Sequence, residues 1–108
     1  MTNLNKEFKP RYAVISASAA AANEIIAAKT GKKIRVIAYT LNCAGGANTC
    51  TFKSATTAIS GAMDVGSDVT MGAESSPYGV METAEGEALN LTLSAATLVA
   101  GHITYVLS

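Results

Sequence analysis

The chain has 108 residues, a formal net charge of zero at pH 7 and only 15% charged residues. That length supports one domain around a single core. A neutral chain without tryptophan, whose basic cluster lacks interleaved stacking aromatics, argues against nucleic acid as a partner. No apolar run is long enough for a membrane-spanning helix, and the polar start MTNLNKEFKPRY is unlike a secretory leader. The expectation is cytoplasmic synthesis, reduced cysteines and no membrane partner.

Residues 1–10 are polar and end in Lys9-Pro10, where the proline ring removes a donor and pushes Lys9 toward extended geometry. They read as an arm ahead of a folded unit spanning 11–108. RYAVISAS, residues 11–18, reads as a first strand. The alanine-rich stretch that follows has helical propensity, but only Ile25 and Ile26 exceed alanine in size, so a strand over residues 23–29 turning at Thr30-Gly31 is the better reading. KKIRVIAYTLN is β-branched and aromatic, and large apolar groups on both faces mark it as a central strand. Strict alternation places Ile34, Val36 and Ala38 on one face and Arg35, Ile37, Tyr39 and Leu41 on the other.

AGGAN then turns the chain and TCTFK returns as a strand, followed by TTAIS. A looser stretch holding Asp64, Gly66, Asp68 and Gly72 separates these from a strand near residues 79–83. Near the end, Leu89, Leu91 and Leu93 alternate with Asn90, Thr92 and Ser94, and Ile103, Tyr105 and Leu107 alternate with polar or smaller residues. Eight or nine short strands at this spacing predict an all-β fold, a single antiparallel β-sandwich of jelly-roll type with an extended N-terminal arm.

Charge is separated along the chain. Before residue 54 lie all eight basic residues and two acids, a net of +6; from Ser54 onward there are six acids and no base, a net of −6. In a sandwich that interleaves the two halves, these charges neutralise locally. In a dipolar subunit, a basic face would meet an acidic one on a neighbour.

Few residues offer chemistry. His102 is the single histidine and has no partner constellation for catalysis. With one histidine, and cysteines spaced more widely than zinc ligands, no metal centre is expected. The Asp64-x-Gly66-x-Asp68 stretch lacks the oxygen-ligand density of a calcium loop. Cys43 and Cys50 flank AGGANT and are placed across a hairpin, where a disulfide is geometrically feasible. No enzyme activity and no cofactor is expected.

The order of motifs is informative. TGKKIRV at residues 30–36, TFKS at 51–54 with Ile59-Ser60-Gly61, and GEALNL at 86–91 leading to Gly101 and Tyr105 resemble small β-sandwich virion proteins of tailed bacteriophages, of the head decoration (cement) type. The resemblance spans about residues 23–108. Met81 stands where an aromatic is expected, and Cys43 and Cys50 where small or apolar residues are usual.

The resemblance implies a protein that binds across major-capsid-protein subunits on the exterior of the virion and stabilises the head mechanically, assembled in the host cytoplasm. It also implies self-association, as a homotrimer at three-fold positions. A receptor- or glycan-binding module of a phage fibre or tail is the alternative. Two residue sets are expected to carry the contacts. One is the arm and its junction (Lys6, Phe8, Lys9, Arg11, Tyr12), with Phe8 filling an apolar pocket on the partner. The other is the strand face with Ile37 and Tyr39.

Overall fold

The computed structural model describes residues 9–76 and 78–108. The chain forms β1 (Arg11–Ala17), β2 (Ala22–Ile26), β3 (Ile34–Asn42), β4 (Asn48–Ser54), β5 (Thr57–Ala58), β6 (Met63–Val65), β7 (Thr70–Ala73), β8 (Met81–Glu82), β9 (Leu89–Leu93) and β10 (Val99–Leu107). No helix is present among these residues, so none is long and apolar enough to cross a membrane.

Two antiparallel sheets result. In sheet A, β10 lies between β1 and β3, and β7 and β8 share the far side of β3; in sheet B, β9 lies between β2 and β4, and β5 and β6 share the far side of β4. Counting each split edge as one strand position, the chain visits the sheets in the order A, B, A, B, B, A, B, A. This is the jelly-roll wrap, and the all-β sandwich is the fold expected from the strand spacing.

The core is the apolar set of both inner faces. Ile15, Ile34, Val36, Leu41, Phe52, Leu89, Leu91 and Val99 are fully buried, and Ile103 and Leu93 nearly so. Each such side chain contributes about 1.5–3 kcal/mol relative to exposure. Tyr39 meets Phe52 edge-on, with ring centroids 5.0 Å apart and planes at 63°, a favoured aromatic geometry. Asn48 is buried without strain on its hydrogen bonding. Its Nδ2 donates to the Ala95 carbonyl and to Thr97 Oγ1, both at 2.9 Å, and its Oδ1 accepts from the Ser94 and Ala95 amides at 3.0 and 3.1 Å. The 94–97 loop is thereby pinned to β4.

A bulge re-phases β3. Val36 pairs with Tyr105 and Ala38 with Thr104, which leaves Ile37 without a partner on β10. One extra residue shifts the alternation. Tyr39 and Leu41 therefore join Ile34 and Val36 in the core cluster, while Ala38 turns outward. The strict alternation expected from the sequence holds only up to the bulge.

The stretch of residues 18–33 also differs from expectation. Its strand is shorter, Ala22–Ile26, and the turn near Gly31 carries the chain from sheet B to sheet A rather than closing a hairpin. Asn23 Nδ2 donates to the carbonyls of Ala19 and Ala21 at 3.0 Å each. These side-chain bonds hold a bend where the alanines alone would allow a helix.

The cysteines, too, sit differently from the hairpin expected of them. Cys43 follows β3 in sheet A and Cys50 lies in β4 of sheet B, facing Met63 and Leu93 along its own sheet. They are not hairpin neighbours. Both are free thiols with no exposure, and they meet between the sheets within hydrogen-bonding reach of each other. Burial, then the neighbouring Cys43, pushes the Cys50 thiol up to about 11.

Candidate protein-interaction face

The outer face of sheet A is built by register. Tyr12, Thr104 and Ala38 form one row across β1, β10 and β3; Val14, His102 and Thr40 form the next; Ser16, Ala100 and Asn42 form the third. Their inward neighbours Ile15, Ile103, Tyr39 and Leu41 fix the orientation by filling the core. None of these nine outward residues is an aspartate, glutamate, lysine or arginine; the adjoining row toward the end of β10 holds Arg35, paired with Glu82. Tyr12 and Val14 are each 76% exposed, so the middle of the β1 side is apolar and open to solvent.

The outer face of sheet B follows the same geometry with different chemistry. Lys53, Asn90 and Glu24 form a row, as do Thr51, Thr92 and Ala22. Thr49 Oγ1 donates to Asp64 Oδ1 at 2.6 Å, beside a shallow groove of about 280 Å³ lined by Asn48, Val65 and Ser94 among others. One carboxylate already engaged by a hydroxyl does not make a cation site. No cluster of three or more His, Cys, Asp or Glu suited to a metal occurs among the described residues. Thr92 Oγ1 is buried without a hydrogen-bond partner.

Charge gathers at one end of the sandwich, where the two sequence halves interleave. The Gly86 amide donates to the Lys32 carbonyl at 2.8 Å, and Lys33 and Ser108 exchange backbone hydrogen bonds at 2.7 and 2.9 Å. Arg35 Nε pairs with Glu82 Oε2 at 3.0 Å, each side chain about one-third exposed. Ser54 Oγ donates to Glu87 Oε1 at 2.5 Å and accepts from the Ala84 amide at 2.9 Å. The basic stretch 29–35 and the acidic stretch 82–87 therefore lie together, and the locally neutralised arrangement describes this end. At the opposite end, where the Gly45 amide donates to the Leu98 carbonyl at 3.1 Å and the Asp68 amide to the Cys43 carbonyl at 2.9 Å, the charged side chains among the described residues are Asp64 and Asp68.

Of the residues expected to carry contacts, Arg11 and Tyr12 lie exposed at the start of β1, and Lys9 is exposed just before it. Lys6 and Phe8 lie outside the described residues. Ile37 and Tyr39 do not form an exposed patch. Tyr39 is 9% exposed and packs on Phe52, its hydroxyl 3.6 Å from the Met63 sulfur, and Ile37 is 2% exposed. The bulge is the physical reason, since it turns Tyr39 inward.

Val14 and His102 were not singled out for this face by sequence reasoning. The alternation of RYAVISA carried part of the signal, because with Ile15 inward, Tyr12 and Val14 must point out. Their neighbours depend on the β1–β10 pairing, which no local pattern reveals. No known protein-family model matches this chain, and no curated protein matches it.

Proposed function

We propose that the protein is a non-catalytic structural protein that docks through the outer face of sheet A on a larger protein assembly. Following the resemblance in its motif order, we take that assembly to be a bacteriophage head. In this reading it is a decoration protein bound across major-capsid-protein subunits on the capsid exterior. The observation that carries the docking face is the uncharged grid around Tyr12 and Val14, opposed to a charged row on the other side of the same sandwich. Interface centres are depleted in charge and enriched in tyrosine. The mechanism is mechanical: a rigid two-sheet body spans neighbouring subunits and resists their separation, and no bond is made or broken. A glycan-binding fibre module would be better served by an aromatic platform beside a polar cleft, whereas Tyr12 stands on an open strand face among Ala, Ser and Thr.

The test is binding to purified capsids stripped of this protein. Tyr12→Ala is expected to weaken binding roughly 30-fold, the effect of an interface anchor worth about 2 kcal/mol. Thr51→Glu on the sheet B face should leave binding unchanged. Equal affinities for wild type and Tyr12→Ala would remove this face from the reading, and absence of capsid binding would remove the capsid. The homotrimer implied by the resemblance needs a head-to-tail contact between two different patches to close a three-fold ring.

A further inference from the structure

The sandwich has four lateral strand edges, and three of them are blunted. The far edge of sheet A is split into β7 and β8, of four and two residues. One edge of sheet B is split into β5 and β6, of two and three residues. Its other edge, β2, has an irregularity between Glu24 and Ile26, carries the charge of Glu24, and is folded over by Asn23, whose Nδ2 also reaches the Leu91 carbonyl at 3.2 Å. Short, bulged or charged edges are the usual protection against pairing with another chain.

The fourth edge is neither short nor bulged, and its interior carries no charge. β1 runs seven residues, RYAVISA, paired to β10 along its whole length without a register shift. It contains no proline, glycine, lysine or acid, and its one charge, Arg11, is at its end. Among the described residues β1 pairs only with β10, so a full row of backbone donors and acceptors faces outward beside the exposed Tyr12 and Val14.

We infer that β1 pairs antiparallel with β1 of a second copy of this chain, about a two-fold axis at Val14, joining the two A sheets into one. The occupant follows from the sequence of the strand. In that register Val14 meets Val14 of the other copy, Tyr12 meets the small Ser16, Ala13 meets Ile15, and Arg11 meets Ala17. Large side chains face small ones, and the two arginines stand at opposite ends. Six residues of strand separate them, roughly 20 Å, well beyond the screening length at physiological salt. An isologous pairing of this kind closes on itself, consuming the edge without propagating into fibres. It also makes one continuous uncharged face from two copies, with Tyr12 and Val14 of both at its centre. The pairing stands whether or not the larger assembly is a capsid.

Sedimentation equilibrium of the isolated full chain, over roughly 5–500 µM, is expected to give twice the 11.0 kDa chain mass at the upper end. Val14→Lys sets two like charges directly opposite one another and should raise the dimer dissociation constant roughly tenfold or more. The melting temperature of its monomer should not change, because Val14 is a surface residue. Val14→Thr, which keeps the branched shape and stays neutral, should retain the dimer. Val14→Cys should be joined to its counterpart by a short bismaleimide, a reading undisturbed by Cys43 and Cys50 because neither thiol is exposed. A monomer throughout the range, a trimer mass, or a dimer indifferent to Val14→Lys would each overturn the pairing.

Discussion

On the outside of sheet B, Lys53, Asn90 and Glu24 stand side by side across three strands. On the outside of sheet A, the row at the charged end holds Arg35 paired with Glu82, and beyond it the rows carry no such charge, beginning with Tyr12, Thr104 and Ala38. Both faces rest on the same core and obey the same alternation, so nothing in the folding of the sandwich requires them to differ. The inward residues answer to packing, and the outward ones answer to whatever lies outside. A face rimmed by opposite charges suits water. One with a tyrosine, a valine and small neutral neighbours has the composition of an interface centre. That difference in composition is what the proposed docking through sheet A rests on.

Three perturbations, in descending size, sharpen it. The largest concerns the close approach of strands in sheet A. Gly101 sits in β10 opposite Ile15 and Leu41, and a Cβ built there overlaps the Thr40 carbonyl oxygen, a backbone atom that cannot swing aside. Gly101→Ala is expected to cost 3 kcal/mol or more, about the upper range for single substitutions, read as a fall in the midpoint of chemical denaturation. A variant within 0.5 kcal/mol of wild type, about the error of a neutral surface change, would mean that β10 can move away from β3.

The next tests the contact between the sheets. In the unfolded chain the Cys50 thiol ionises near 9.0, whereas the folded protein holds its proton to about 11, through burial first and the neighbouring Cys43 second. Between those values the unfolded state gives up the proton and is favoured. Stability should be flat below pH 9 and fall as pH rises toward 11, by roughly 2–3 kcal/mol for a shift of this size. Burial raises Tyr39 above its ordinary 10.0 as well, which acts in the same direction. Denaturation midpoints at pH 8, 9, 10 and 11 measure the slope, and Cys50→Ala should make it shallower. An unchanged slope in that variant would place the effect elsewhere.

The smallest belongs to sheet B. Thr92 Oγ1 is buried on the outward side of β9 with no partner. Thr92→Val keeps the shape and removes a desolvated hydroxyl, so it should be neutral or stabilise by up to about 1 kcal/mol. Thermal melts decide the sign, and a clear loss would mean that the hydroxyl has a partner in solution.

Much of this architecture was legible in the residues. β1, β3, β4, β9 and β10 are all runs of alternating or β-branched residues, and each forms where that pattern stands. β6 and β7 were not legible. Met63–Val65 and Thr70–Ala73 lie in a stretch of Gly, Asp and Ser with no run of strand formers, and they become strands by pairing with the outer edges of β4 and β3. Such strands are made by their neighbours. The faces of β3 were half legible, since the bulge opposite Thr104 and Tyr105 depends on a strand far along the chain. For the candidate face, Tyr12 and Arg11 were visible as an exposed junction. The misplacement of Tyr39 follows from the bulge, and that of the cysteine pair from reading a crossing between sheets as a hairpin.

The position of β10 also bears on how the chain comes into being. Arg11 finds its partner in Tyr105 and Ala17 in Val99, and β3 needs the same strand on its other flank. During synthesis, at roughly 5–20 residues per second, β1 and β3 emerge several seconds before the strand that must lie between them. For that interval β1 has no partner in sheet A, and β3 has only the short strands β7 and β8. Sheet A cannot be completed until Val99 and its successors are available to lie between β1 and β3, so its closure waits on the last strand to be made.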